Sequence, residues 1–259
     1  MKYLFHFISF FSFSIFAQEP IETKFITKTN LNVEELISVT NFNSIYYIEN
    51  NIFYKKSNNK PTSYNNLQLG NINSANTFNT LKPNLFYKDF NTVIILDNRL
   101  SEIFKINFNT LMEYKNVSHV STGHDNTIWV FNQDTRKLEL FDYMTETTRS
   151  RTAPVQSKVL DLNSNYNFSW LLTEKYLYTY NYFGSLVKKT KNEGFKKLTE
   201  SNGNIYLKKG NQLYYLKKNT NQITPIKTPF FLINQFFVTN ETLYIYNGKT
   251  LQEHQLKID

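Results

Sequence analysis

The chain has 259 residues, a formal charge of +8 and no cysteine, and 17% of its residues are aromatic. Without cysteine it has no disulfide, no thiolate metal site and no cysteine nucleophile. Phe, Tyr and Ile favour strands, scarce Ala disfavours helices, and abundant Asn serves tight turns in a chain with only seven glycines.

The first predicted element is a targeting segment. Lys2 is the only formal charge before Glu19, and Tyr3 to Phe16 is apolar except for His6 and three Ser. Ala17 then precedes the polar Gln18-Glu19-Pro20. A basic start, a short apolar run and a small residue before a polar stretch make residues 1–17 a signal peptide, cut after Ala17. The run falls short of the ~20 apolar residues of a spanning helix, and no later stretch is apolar for long enough. The expected location is the periplasm, or outside as an extracellular or outer-membrane-associated protein. Nucleic acid is not an expected partner there, and residues 18–259 form one domain large enough to rest on its own core.

From there the chain repeats. A column of large apolar residues follows a polar, turn-like cluster six times: Tyr46, Ile94, Trp129, Trp170, Tyr206 and Phe237, at steps of 48, 35, 41, 36 and 31 residues. A second apolar string follows each, from Ile52-Phe53-Tyr54 to Leu243-Tyr244-Ile245-Tyr246. Turn formers such as Asn50-Asn51 and Gly210-Asn211 separate the two, so each unit contains a β-hairpin. Six hairpins about 40 residues apart predict an all-β fold, a single β-propeller of about six four-stranded blades, with five or seven the alternatives. A blade cannot bury both faces of its sheet alone, so Trp129 and Trp170 should lie between blades. The more polar segments Leu186-Val187-Lys188-Lys189 and Gln222-Ile223-Thr224-Pro225 should be outer strands. Lys24 to Thr29 either pairs with the last blade and closes the ring, or begins the first.

The string His124-Asp125-Asn126-Thr127-Ile128-Trp129-Val130, with Leu138-Glu139-Leu140-Phe141-Asp142, resembles blades of two-component-regulator-type propellers. It departs from the Asp box of sialidases, because Ile128 separates Thr127 from Trp129. Only Arg99, Arg136, Arg149 and Arg151 could supply a sialidase arginine cluster, and that reading is rejected. Small, exported, cysteine-free propellers of this style resemble accessory subunits of outer-membrane machines, including the Plug subunit of the type 9 secretion translocon. That resemblance implies a protein partner in the cell envelope.

Candidate chemistry is sparse. Outside the targeting segment the histidines are His119, His124 and His254; His119 and His124 stand five apart without a nearby third ligand, so turn histidines satisfied by hydrogen bonds are expected rather than a metal site. Asp125 beside His124 reads as a turn former. No phosphate loop, dinucleotide fingerprint, Gly-x-Ser-x-Gly or calcium loop occurs. The expectation is a non-enzymatic interaction module without cofactor. A glycan-binding protein or glycosidase stays open, because paired carboxylates can be distant in sequence. Charge gives the one uneven feature: residues 184–227 hold ten Lys and two Glu. Lys188, Lys189, Lys196, Lys197, Lys208, Lys209, Lys217 and Lys218 form the candidate interaction surface, for acidic lipid headgroups, a glycan or an acidic protein. The competing reading is a solvated edge whose lysines deter strand pairing.

Overall fold

A computed structural model describes residues 19–57 and 61–258; the expected signal peptide lies outside them. Strand β1 (Thr23–Asn30) comes first and is set aside by the chain until the end. Blade 1 follows as β2 (Glu35–Val39), β3 (Ile45–Glu49), β4 (Ile52–Lys56) and β5 (Pro61–Tyr64), and blade 2 as β6 (Ser74–Asn76), β7 (Asn84–Tyr87), β8 (Thr92–Leu96) and β9 (Glu102–Asn107). Blade 3 is β10 (Val117–Thr122), β11 (Thr127–Asn132), β12 (Lys137–Asp142) and β13 (Thr147–Arg151). Blade 4 is β14 (Val159–Ser164), β15 (Phe168–Thr173), β16 (Tyr176–Asn181) and β17 (Leu186–Lys191). Blade 5 is β18 (Lys197–Ser201), β19 (Asn204–Lys209), β20 (Gln212–Leu216) and β21 (Ile223–Ile226). Blade 6 takes β22 (Gln235–Thr239), β23 (Thr242–Tyr246) and β24 (Thr250–Leu256) from the C-terminal end, and β1 completes it as the outermost strand.

The expected all-β propeller is therefore present with six four-stranded antiparallel sheets. Asn serves the turns as the composition implied: Asn43, Asn50, Asn51, Asn91, Asn202, Asn219 and Asn240 all have positive φ. Leu186-Val187-Lys188-Lys189 lies in outer strand β17, and Ile223-Thr224-Pro225 in outer strand β21. Lys24 to Thr29 closes the ring, with β1 antiparallel to β24 from Thr23 opposite Leu256 to Asn30 opposite Thr250. Tyr246 locks that closure, since its hydroxyl accepts from the Val33 amide at 3.0 Å and donates to the Val33 carbonyl at 2.8 Å.

The core is six slabs, one between each pair of neighbouring blades. Tyr46, Phe53 and Leu69 pack on Leu85 and Ile94 between blades 1 and 2. Phe86, Val93 and Phe108 pack on Val120, Ile128 and Phe141 between blades 2 and 3. Trp129, 1% exposed, lies between blades 3 and 4, and Trp170, 5% exposed, between blades 4 and 5. Tyr206 and Leu213 meet Phe236 and Leu243, and Tyr244 and Tyr246 meet Leu36 and Val39, which finishes the circuit.

The repeat register differs from the sequence reading in two blades. Tyr46, Trp129, Trp170 and Tyr206 occupy the second strand of their blades. Ile94 instead sits on the third strand of blade 2 and Phe237 on the innermost strand of blade 6, where Leu85 and Tyr244 hold the second-strand place. This accounts for the long 48-residue and short 31-residue steps. In blade 2 every residue of β7 and β8 is buried, so the apolar pattern does not tell one strand from the next. In blade 6 the outer strand comes from the other end of the chain.

Candidate functional site

The innermost strands β2, β6, β10, β14, β18 and β22 surround a central channel with a cavity of about 680 Å³, within the range of small-ligand sites. All six run in the same direction along it. One mouth therefore lies at their N-terminal ends, beside the loops that join blades and those that join second to third strands. The other lies at their C-terminal ends, beside the first-to-second and third-to-fourth strand turns. These are called the entry mouth and the exit mouth below.

The exit mouth is knitted from short hydroxyl and amide side chains, joined by one carboxylate, Glu200. Ser38 and Thr77 hydroxyls meet at 2.6 Å across blades 1 and 2. Asn76 donates to Ser121 at 3.1 Å and accepts from Thr122 at 2.7 Å across blades 2 and 3. The buried Ser164 hydroxyl bridges blades 4 and 3, through Ser121 at 2.7 Å and the Thr122 carbonyl. Asn165 donates to Glu200 at 3.0 Å, and Thr239 to the Val39 carbonyl at 2.9 Å.

The entry mouth is charged. Glu35 comes from blade 1, Lys88 from blade 2, His119 from blade 3, Asp161 from blade 4, and Lys197 and Lys208 from blade 5. Asp161 accepts from the amides of Leu198 at 2.9 Å and Leu162 at 3.1 Å and lies 3.9 Å from the Lys197 ammonium. Burial raises its pKa, against the pull of Lys197 and those two amides. Burial likewise raises Glu35, with Lys197 opposing. The ring of His119 is pushed down to about 4, first by burial and then by the charges of Lys197 and Lys88. It is therefore a neutral imidazole at neutral pH, with Nδ1 at 2.9 Å from the Ser118 hydroxyl.

The eight candidate lysines do not converge on one patch. Lys196, Lys197, Lys208 and Lys209 gather on the entry side of blade 5, where Lys197 lies opposite Lys208 in the ladder. Lys217 and Lys218 follow β20 on the exit side. Lys188 and Lys189 lie along β17: Lys188 donates to the Thr220 carbonyl, and Lys189 stands over the Tyr176 ring at 4.0 Å. The remaining histidines part company too. His124, paired with Asp125 at 2.9 Å, is an exposed turn residue. That turn needs Gly123, because a Cβ there would come within 2.3 Å of the Thr127 hydroxyl. His254 is buried on β24, edge-on to Phe25. Among the described residues no group of three His, Asp or Glu is placed to hold a metal.

Sequence reasoning passed over Glu35, Lys88 and Asp161, which share no motif and meet only when the ring closes. It also passed over a buried ion pair. Lys115, on the loop joining blades 2 and 3, donates to Glu139 of β12 at 2.7 Å, and both are about 1% exposed. Burial opposes the Glu139 charge, yet Lys115, Asn132 and Arg151 hold its carboxyl below the ordinary value. The signal was there: Glu139 interrupts an apolar strand, and a buried carboxylate demands a partner.

The entry-side loops also expose large apolar side chains: Leu67, Phe90, Met112, Tyr114, Phe230 and Leu232, with Met112 and Phe230 fully in solvent. Phe90 lies between two of these loops, close to Gly70 on one and accepting at its carbonyl from Asn109 on the other.

No protein-family model and no curated protein sequence matches the chain. Solved structures do. Virginiamycin B lyase from Staphylococcus aureus superposes with TM-score 0.62 at 10% identity, over 89% of this chain and 99% of that one. The Pan2 WD40 domain of Neurospora crassa gives 0.57 at 10% identity, over 88% and 74%. A chain of the mitotic checkpoint complex gives 0.59 at 10% identity, over 97% and 98%. At such identities the likeness carries the fold alone. Among the described residues no helix is long and apolar enough to cross a membrane. The chain is a six-bladed β-propeller, a scaffold that commonly mediates protein interactions, and its fold is shared with at least one enzyme.

Proposed function

We propose that this propeller is an exported, non-enzymatic interaction module of the cell envelope that holds an acidic protein partner on its entry-side face. An accessory subunit of an outer-membrane translocon, such as that of type 9 secretion, is the role this reading favours. The observation that carries it is the Lys196, Lys197, Lys208 and Lys209 quartet on one face, beside exposed apolar side chains of a kind that the exit-side turns also present. Exposed apolar groups cluster at binding surfaces more than elsewhere, and a positive rim steers an acidic partner and sets its orientation. Residues 1–17, read as a signal peptide, supply the compartment.

A glycosidase would need a carboxyl free to donate a proton and a second one free to act as base or nucleophile. Asp161 is engaged by two backbone amides and Lys197, which supports a structural role for it. The test is affinity capture from an envelope extract with the tagged protein and a variant carrying Leu67→Ser, Phe90→Ser, Met112→Ser and Phe230→Ser. The wild type should retain a protein that the variant loses by at least tenfold. Equal retention by both would remove the entry-side face from the account.

A further inference from the structure

Lys197 and Lys208 are directly opposed in the β18–β19 ladder, so their side chains leave the same face of blade 5, and both line the channel. Like charges directly opposite in a sheet are unfavourable. Lys88 adds a third ammonium from blade 2, across the ring from blade 5. Among the described residues neither Lys88 nor Lys208 is paired with a carboxylate, and Lys197 reaches Asp161 only at 3.9 Å. Asp161 is in turn engaged by the Leu198 and Leu162 amides. The mouth thus holds more positive charge than its own carboxylates neutralise.

Next to these ammonium groups the wall is polar and unsatisfied. The side chains of Ser74, Asn163 and Thr199 line the cavity from three inner strands and make no hydrogen bond within the described protein. At the same level of the ladders, Ser38 and Ser121 are engaged across blade junctions, whereas Asn163 and Thr199 are not. The belt that closes the ring therefore leaves Asn163 and Thr199 unused, one step inside the ammonium groups. Half-buried donors and acceptors in a cavity of about 680 Å³ are places for ligand hydroxyls or for the water that they displace.

We infer that the entry mouth binds a small saccharide carrying a carboxylate or a phosphate, with the anion between Lys197, Lys208 and Lys88 and the sugar hydroxyls on Ser74, Asn163 and Thr199. The site lies inside the channel. Lys196 and Lys209, adjacent in sequence to the channel-lining pair, point to the opposite face of the sheet. Saccharide binding is therefore independent of the apolar loop surface, and Leu67→Ser or Phe230→Ser should leave it unchanged even where partner capture fails.

The experiment is isothermal titration calorimetry of the full protein with digalacturonate, glucose 6-phosphate and neutral cellobiose, on wild type and on Lys197→Met/Lys208→Met. At least one of the two anionic sugars should bind ten times or more tighter than cellobiose, and which one does so tells carboxylate from phosphate. The double variant should lose at least tenfold in affinity for that sugar. Its thermal midpoint should move little, since the like-charge repulsion it removes offsets the loss of the 3.9 Å contact between Lys197 and Asp161. No binding of either anionic sugar, equal binding of cellobiose, or unchanged affinity in the double variant would each overturn the inference.

Discussion

The two mouths of the channel are built by the same six strands and differ in kind. At the exit mouth short hydroxyl and amide side chains, with Glu200 as one acceptor, bond across five blade junctions. At the entry mouth the residues are charged, come from separate blades, and sit beneath loops that run as far as the segment from Phe108 to Asn116. The comparison separates two tasks of a ring. One end holds the blades together through hydrogen bonds between neighbouring inner strands. The other end gathers charge inside the channel mouth, and large apolar side chains are exposed at both ends, with Phe42, Leu81, Met144 and Phe183 on the exit-side turns.

The long entry-side loops still need anchoring, and Lys115 provides it. Lys115→Met leaves Glu139 buried without its main partner and should cost about 3–5 kcal/mol, by chemical denaturation. Adding Glu139→Leu should restore a large part of that loss, because a well-packed apolar pair can replace a buried ion pair. If the single variant unfolds like wild type, the loop is not held by this pair. At the exit mouth, Ser164→Val removes a hydroxyl that serves both Ser121 and the Thr122 carbonyl. A urea titration should show a loss of about 1–3 kcal/mol, the cost of buried polar groups left unpaired. The same experiment on an exposed entry-side lysine should stay within about 0.5 kcal/mol. Equal losses at the two mouths would erase the distinction between them.

The fold was largely legible because a propeller repeats its physics. Tyr46, Trp129, Trp170 and Tyr206 recur at the same strand position, since each must fill a slab between blades. The register slipped at Ile94 and Phe237, where uniformly buried strands and a strand borrowed from the N-terminal part leave periodicity without a phase reference. The mouth was not legible. Glu35, Lys88, Asp161 and Lys197 come from four blades, and only ring closure brings them together. The lysine pairs were visible in composition, but alternation along β18 and β19 decides which of them line the channel. Lysines 188–189 and 217–218 belong to an edge strand and to the exit side.

The entry-side face, as the place where a partner is held, is the central element of the proposed function. Its most direct test is retention of the captured envelope protein across a salt series by wild type and two charge reversals. One carries Lys196→Glu and Lys209→Glu at the entry side, and the other Lys217→Glu and Lys218→Glu at the exit side. All four lysines are exposed, so both variants should fold as the wild type does. The entry-side reversal should lose most of the retained partner at low salt, and wild-type retention should itself fall as salt screens the contact. The exit-side reversal should behave as wild type. Loss confined to the exit-side reversal, or retention indifferent to both, would contradict the assignment of the binding face.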